Sequence, residues 1–419
     1  MQGKYYKSIL IGFIVLLVTV ISMVFLNSPG TGDTKYWIEW ANNADTYGLV
    51  SGFKANNEMY PPFASIILLV ALKASSLLGI DTFGAVKLSV FLFLFLTSFL
   101  FWLWTRDFTI TVILHLSLLL NSVALGLLDI YILPSLILSI WALKEHKLTL
   151  FTVFFCIACL TKWQPVILAP FIALYILNIK QVAQWKQLEF KRLFWGVLFP
   201  ASMILFVTIS VYRLDLIMAL KAALINNNDY LSGYALNFNW LLTYFLQVLF
   251  PERLGSLIDG QVHLIGTPRV VGLIPRLLFF LSYIITVVSF LRCEKTFENL
   301  TFYSLVGYLA YFTFNIGVHE NHLFLATTLS IILFMVNRKH LALMLILILM
   351  SNINLLVFNG LDGGGLMFSR VIGKIDITLL LSFFNVIFFL FLWGANTLLS
   401  KNTHPVQEPL AAAPTIVGD

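Results

Sequence analysis

The chain has 419 residues, of which 59% are hydrophobic and only 11% charged, with a net charge of +6. An ordinary soluble domain is roughly 25% charged, so this composition excludes a soluble globular protein, and the modest positive balance gives no reason to expect nucleic acid as a partner. Three cysteines in the whole chain imply neither a disulfide framework nor a metal cluster.

Lys4 and Lys7 precede the apolar run "SILIGFIVLLVTVISMVFL". The run has the length of a membrane span, about 20 residues, and lacks the small-residue cleavage site of a signal peptide. We expect an uncleaved first helix with a cytoplasmic N-terminus. Further apolar segments follow at 61–79, 85–104, 108–125, 127–143, 148–161, 164–179, 193–212, 272–291, 300–316, 321–336, 341–358 and 376–399. Inside a bilayer each satisfies its backbone hydrogen bonds only as a helix. The expected fold is an all-α polytopic membrane protein with about 11–13 transmembrane helices. It forms one integral-membrane domain over 1–400, followed by a polar, Pro- and Ala-rich tail at 401–419 expected to be disordered.

Basic residues assign the sides. "KEHK" (144–147), "KQVAQWKQLEFKR" (180–192), "RCEK" (292–295) and "NRKH" (337–340) mark the cytoplasmic loops. The loops 27–60, 213–271 and 359–375 then fall outside, with tight outer turns at 161–165 and 315–322. Interfacial helices are expected in the first and middle outer loops. Three apolar segments lie between residues 60 and 126, where outer positions at both ends require an even number of crossings. One of 61–79, 85–104 or 108–125 is therefore expected to be re-entrant, interfacial or wrongly divided.

In chain order, the polar stretches of the outer face carry the candidate chemistry. "NSPGTGDTKYWIEW" (27–40) places Asp33, Tyr36, Trp37 and Trp40 at i, i+3, i+4 and i+7, one face of a helix. Asp33 is either the N-cap of an interfacial helix or a reactive carboxylate. In "NNEMYPPF" (56–63) Tyr60 precedes two prolines suited to a helix start. "LGLLDIYILPS" (125–135) sets Asp129 in an apolar segment, where a carboxylate is costly and faces a polar cavity or a bonding partner on another helix. "TKWQP" (161–165) presents Lys162, a snorkelling lysine or a cation for phosphate, with Gln164 beside it. Cys156 and Cys159 have redox-motif spacing but sit in a helix-like run, where cysteines pack as small apolar residues. In the large loop, Asn237, Asn239 and Trp240 suit sugar recognition, and Arg269 is a second phosphate ligand. "GVHENHLF" gathers His319, Glu320 and His322. The zinc-protease spacing is absent and a third zinc ligand is not placed, so phosphate or sugar contact by imidazole is expected. No cofactor is expected, and the question of a divalent metal stays open.

The order "GDTKYW", "YPPF", "LLDIYILP", "TKWQP", "NFNW" and "GVHENHLF" over residues 1 to 340 resembles the C superfamily of integral-membrane glycosyltransferases. It is closest to the branch of dolichyl-phosphate-glucose-dependent glucosyltransferases and their bacterial relatives. Where members of that branch carry His-Val-His-Glu-Lys, this chain has Gly317 in place of the first His and Asn321 in place of the Lys. It also lacks their His-Gly-His before Asp129. The departures and the short chain favour the plasma membrane of a bacterium or archaeon. The resemblance implies inverting transfer of a sugar from a polyprenyl-phosphate donor to a glycan or glycolipid acceptor on the extracytoplasmic face. It implies Asp33 as general base, and Lys162, His319, His322 and Arg269 at the donor phosphate. Trp37, Tyr60, Asp129, Gln164, Asn237, Trp240 and Glu320 would line the sugar and acceptor sites. No D-x-D segment for a nucleotide sugar is evident. The rival readings are a lipid-linked glycan flippase or polymerase, which leaves the acidic first loop unexplained, and a small-molecule transporter, whose site lies near the bilayer midplane on broken helices.

Overall fold

A computed structural model describes residues 2–56, 60–178, 190–225, 230–366 and 369–399. The basic segment 180–192 falls mostly outside the described residues, and the tail 401–419 wholly so. Six helices in the described part are long and apolar enough to cross a membrane, and a two-residue antiparallel pairing of β1 (Val371–Ile372) with β2 (Ile375–Asp376) is the sole described sheet. The protein is an all-α polytopic membrane protein.

The chain opens with α1 (Gln2–Val24), then lays down α2 (Thr34–Tyr47), α3 (Leu49–Ala55) and α4 (Pro62–Ser76). Next come α5 (Thr82–Thr105), α6 (Phe108–Leu119), α7 (Leu133–Lys144), α8 (Leu148–Thr161) and α9 (Ala169–Leu177). Beyond them lie α10 (Phe190–Leu193), α11 (Phe199–Ile225), α12 (Phe238–Leu249) and α13 (Pro251–Leu254). The last five are α14 (Leu273–Arg292), α15 (Phe297–Phe314), α16 (Phe324–Val336), α17 (Leu341–Asn359) and α18 (Ile377–Leu399).

Two ends of the bundle differ in chemistry. At one, Arg338 binds Asp107 at 2.8 Å, and Lys339 and His340 reach Glu298 at 2.7 and 3.0 Å. Lys144 lies over the rings of Trp104 and Phe297 at this same end. The opposite end carries residues 28–34, 121–129, 161–164 and 315–323, where the backbone leaves regular helix. Non-helical backbone at membrane depth is tolerated where protein buries it, and here it is buried: Asn121, Ser122, Asp129, Thr161 and Asn321 are all inaccessible.

The crossing conflict between residues 60 and 126 resolves at α4. Tyr60, just before it, packs on Trp37 and Trp40 of α2. Near its far end Lys73 pairs with Asp45 of the same α2. Thr82, opening α5, donates to Asn42 Oδ1 at 3.2 Å. Both ends of α4 thus lie beside α2, and 61–79 is the segment that stays at one end of the bundle. The middle loop needs a second correction. The helix expected to stop at residue 212 continues to Ile225, past a break at Arg213 with φ 52° and ψ −131°. Leu216 and Ala219 on this extension, with Tyr212 just before the break, pack against Phe53 of α3. The helix α12 lies within the same loop, with buried Trp240, Thr243 and Gln247 facing inward.

His115 ties three helices inside the bundle. Its Nε2 meets Ser22 Oγ of α1, and its Nδ1 meets Ser98 Oγ of α5, both at 2.9 Å. Each serine keeps a second bond to its own helix, to Val18 and Leu94 carbonyls. Substitution of His115 by Leu therefore removes two interhelical bonds and strands no donor. The expected loss is about 1 kcal/mol, read as a lower melting temperature of the purified protein in detergent, and an unchanged melting temperature would refute the tie.

Candidate functional site

The centre of the polar end is an ion pair. Lys162 ends α8 in an extended conformation, φ −156° and ψ 143°, which turns its side chain inward. Its Nζ lies 2.5 Å from Asp129 Oδ1, and the side chains are 9% and 1% exposed. Asp129 stands in a single 3-10 turn, Leu128–Ile132, that opens α7. Its other oxygen accepts from Asn321 Nδ2 at 2.7 Å. Lys162 also sits 4.9 Å from the Tyr60 ring centre and bonds the phenol. Burial opposes the lysine charge, yet Asp129 and Tyr60 outweigh it and hold the ammonium above its ordinary range. The same burial pushes the Tyr60 phenol up to about 12. Of the two readings of Lys162, free snorkelling cation or ligand for an anion, the first is excluded by its burial. The second is modified, because Asp129 already occupies the ammonium.

Asp33 immediately precedes α2. Its carboxylate makes no capping bond to the helix, which leaves it free for chemistry. Burial raises its pKa above 3.8, Lys162 pulls it back, and the Asp129 charge raises it again. Of the aromatic face expected with it, Trp37 and Trp40 are buried and pack edge-on at 4.8 Å. Tyr36 departs from that face: it is 57% exposed, because the buried stripe of α2 runs through Trp37, Trp40, Ala41 and Ala44.

The 315–323 turn closes the other side. Glu320 lies 3.9 Å from His319 Nδ1 and accepts from Asn359 Nδ2 at 3.3 Å. Burial pushes its carboxyl up to about 7, and the Asp33 charge adds to the rise. The rings of His319 and His322 are 5.6 Å apart. His322 is buried, stacks on Tyr311 and meets its hydroxyl at 3.1 Å; burial first, then Lys162, lowers its pKa. The His319 side chain is half-exposed, its ring laid across Gly233, where an added Cβ would stand 2.7 Å from Nδ1. Among the described residues no group of three or more His, Cys, Asp or Glu is placed to hold a metal ion.

Three expected ligands are placed elsewhere. Asn237 is the N-cap of α12, accepting from Trp240 N at 3.1 Å and donating to the Phe312 carbonyl at 2.8 Å. Trp240 is wholly buried against Tyr234 and Phe358, with its indole N–H on Thr378 Oγ1 at 2.8 Å. Both are structural, since neither has a polar atom or ring face left to offer a sugar. Arg269 is exposed at the turn before α14, and no bond joins it to the Lys162 centre. Gln164, two residues from Lys162, is buried, and neither end of its amide has a partner. The buried Trp37 Nε1 and Asn321 Oδ1 are likewise unpartnered. A buried unsatisfied polar group costs about 1–3 kcal/mol, so these atoms mark where a polar ligand would be stabilised.

Sequence reasoning passed over Asn321, Tyr311 and Asn354. Asn354 donates to the Glu320 carbonyl at 2.6 Å and accepts from Leu236 N at 2.7 Å, tying the histidine turn to the middle loop. The signal was present as three asparagines in the apolar run "SNINLLVFN". Cys156 and Cys159 form no disulfide and lie on α8.

An apolar cavity of about 480 Å³ lies between α4, α5, α7 and α8. Its lining includes Phe63, Tyr131 and Thr161, close chain neighbours of Tyr60, Asp129 and Lys162. No known protein-family model matches the chain, and no curated protein matches it significantly.

Two predictions follow from the buried charges. Asp129→Asn and Lys162→Met each strand a buried partner and should cost ~3–5 kcal/mol, with the double variant losing less than the sum; additive losses in thermal melts would contradict the pairing. For Glu320, the folded pKa of about 7 lies above the ordinary 4.5. The folded protein therefore keeps a proton that the unfolded chain releases, and stability falls as pH rises from 4.5 to 7. Glu320→Gln should melt higher than the parent at pH 8, by at most about 3 kcal/mol, and the gap should close toward pH 4.5.

Proposed function

We propose that this protein is an inverting glycosyltransferase that moves a sugar from a polyprenyl-phosphate donor to a glycan or glycolipid acceptor at the extracytoplasmic face of a bacterial or archaeal plasma membrane. The observation that carries the reading is the buried Lys162–Asp129 pair, together with an apolar cavity between α4, α5, α7 and α8 whose lining includes Tyr131 and Thr161, the near chain neighbours of the pair. An amphipathic ligand with an anionic head and a long hydrocarbon tail matches that combination. A water-soluble nucleotide sugar does not need the apolar part.

In this reading the donor phosphate approaches Lys162. Asp129 and Tyr60 take two directions of the ammonium, and an ammonium has three donors, so one remains for a phosphate oxygen. The half-exposed ring of His319 offers a second contact. Gln164 and Trp37 supply neutral hydrogen-bonding atoms of the kind that hold sugar hydroxyls. Asp33 takes the proton of the acceptor hydroxyl as its oxygen attacks the anomeric carbon. The bond from that carbon to the phosphate oxygen breaks on the opposite face, configuration inverts, and polyprenyl phosphate leaves with its charge facing Lys162. Preorganised cations stabilise such a developing charge, and the raised pKa of Asp33 strengthens it as a base.

Purified protein incubated with a panel of polyprenyl-phosphate sugars is expected to release free polyprenyl phosphate from at least one. Asp33→Asn should lower kcat by roughly 10²–10⁴-fold while the protein still binds the donor lipid. Full turnover by that variant would remove Asp33 from the role. Saturable uptake of sugar into vesicles without lipid-phosphate release would support a transporter instead. The acid limb of the kcat–pH profile should lie above pH 3.8 and move to higher pH in the residual turnover of Lys162→Met, since Lys162 lowers the Asp33 pKa.

A further inference from the structure

Lys87 lies on the first turns of α5, in the apolar run "GAVKLSVF", and is 1% exposed. A lysine in such a run ordinarily extends its ammonium to water or headgroups. Here the ammonium turns inward and is used up by three neutral acceptors: Ser28 Oγ at 2.9 Å, the Ala124 carbonyl at 3.3 Å and, closest, the Val123 carbonyl.

Those carbonyls are free because the helix after α6 is broken. Residues Leu120–Ala124 form a wide turn in which Asn121 departs from helical angles, and Gly126 follows at φ +68°. Freed carbonyls inside an apolar bundle need donors. Lys87 and Ser28, whose hydroxyl also reaches the Ala124 carbonyl at 2.6 Å, supply them.

The same contacts join two loops. Thr31 N donates to the Leu125 carbonyl and Gly30 N to the Asp362 carbonyl, both at 2.9 Å. The approach leaves no room for side chains: a Cβ on Gly30 would stand 2.8 Å from Leu125 O, and one on Gly126 2.8 Å from Thr34 Cγ2. From this joint one loop runs five residues from Ser28 to Asp33, and the other five residues from Ala124 to Asp129. Two carboxylates of the site, Asp33 and Asp129, are thus carried on arms fixed at one point.

We propose that Lys87 is a positioning residue, which by binding Ser28 and the carbonyls of Val123 and Ala124 sets the placement of Asp33 relative to the Lys162–Asp129 pair. It touches neither carboxylate and acts only through the two loops. The inference rests on the reading of Asp33 as the base, because the distance it sets matters only if Asp33 and Lys162 act on one substrate. A misplacement of about 1 Å costs roughly 10²-fold in rate.

Lys87→Met keeps the length of the side chain and removes its donors. In nanodiscs, the variant should exchange amide hydrogens at least ~10-fold faster in 28–34 and 121–129, with 300–314 unchanged. Its kcat should fall by ~10–100-fold with the donor KM and the affinity for undecaprenyl phosphate within about twofold of the parent. Ser28→Ala should shift both readouts the same way by less, and it decides the matter alone if Lys87→Met does not fold. Unchanged exchange in the two loops, an unchanged kcat, or a kcat loss matched by faster exchange throughout the bundle would each overturn the proposal. Full turnover by Asp33→Asn would instead remove the base assignment, leaving the exchange data to judge the joint.

Discussion

The buried Lys162–Asp129 pair is the constraint on which the polar end depends. An ion pair taken out of water loses several kcal/mol of hydration per ion, and it persists only where the remaining hydrogen-bonding capacity is met. That requirement explains what surrounds it: Asn321 on the second Asp129 oxygen, and the Tyr60 ring and hydroxyl on the ammonium. Each of these partners comes from a different stretch of chain. The pair therefore fixes the loop before α4, the start of α7, the end of α8 and the 315–323 turn relative to one another.

Irregular backbone concentrates at this end for the same reason. The wide turn at 120–124, the single turns at 128–132 and 320–323, and the extended Lys162 all expose backbone groups that a continuous helix would satisfy. Side chains replace the missing partners: Lys87 and Ser28 for Ala124, Asn121 for the Asn321 carbonyl at 2.8 Å, Tyr308 for the His322 carbonyl at 2.7 Å, Asn354 for Glu320. At the opposite end the described breaks, the single turn Arg338–His340 among them, lie beside surface ion pairs around Glu298 and Asp107, which contribute little individually. The asymmetry locates the candidate chemistry without appeal to any one motif.

Residues that looked alike in sequence separated once packed. Asn237 and Trp240 had the types expected of a sugar site, yet the N-cap of α12 and the seam with α18 claimed them. Gln164, adjacent to an unremarkable proline, kept both amide atoms free in a buried place. Tyr36 and Trp37 are neighbours on α2, and one turns outward while the other is buried. Residue type predicts what a side chain is able to bind. Whether anything is left to bind with depends on neighbours far away in the chain, 75 residues for Asn237 and 138 for Trp240.

The sequence by itself determined the membrane class, nearly every helical segment, and the gathering of Asp33, Asp129, Lys162 and the histidine turn at one end of the bundle. These follow from local sums of transfer free energy and from the order of charged loops, which need no tertiary knowledge. Only the tertiary structure decided that α4 lies along α2, that Lys162 is held by Asp129, that Trp240 is core, and that a lysine inside α5 joins two loops. Each of these is a contact between segments apart in the chain, about 20 to 140 residues for the pairs named, and helix packing sets such contacts while the 3.6-residue period of a single helix is silent about them.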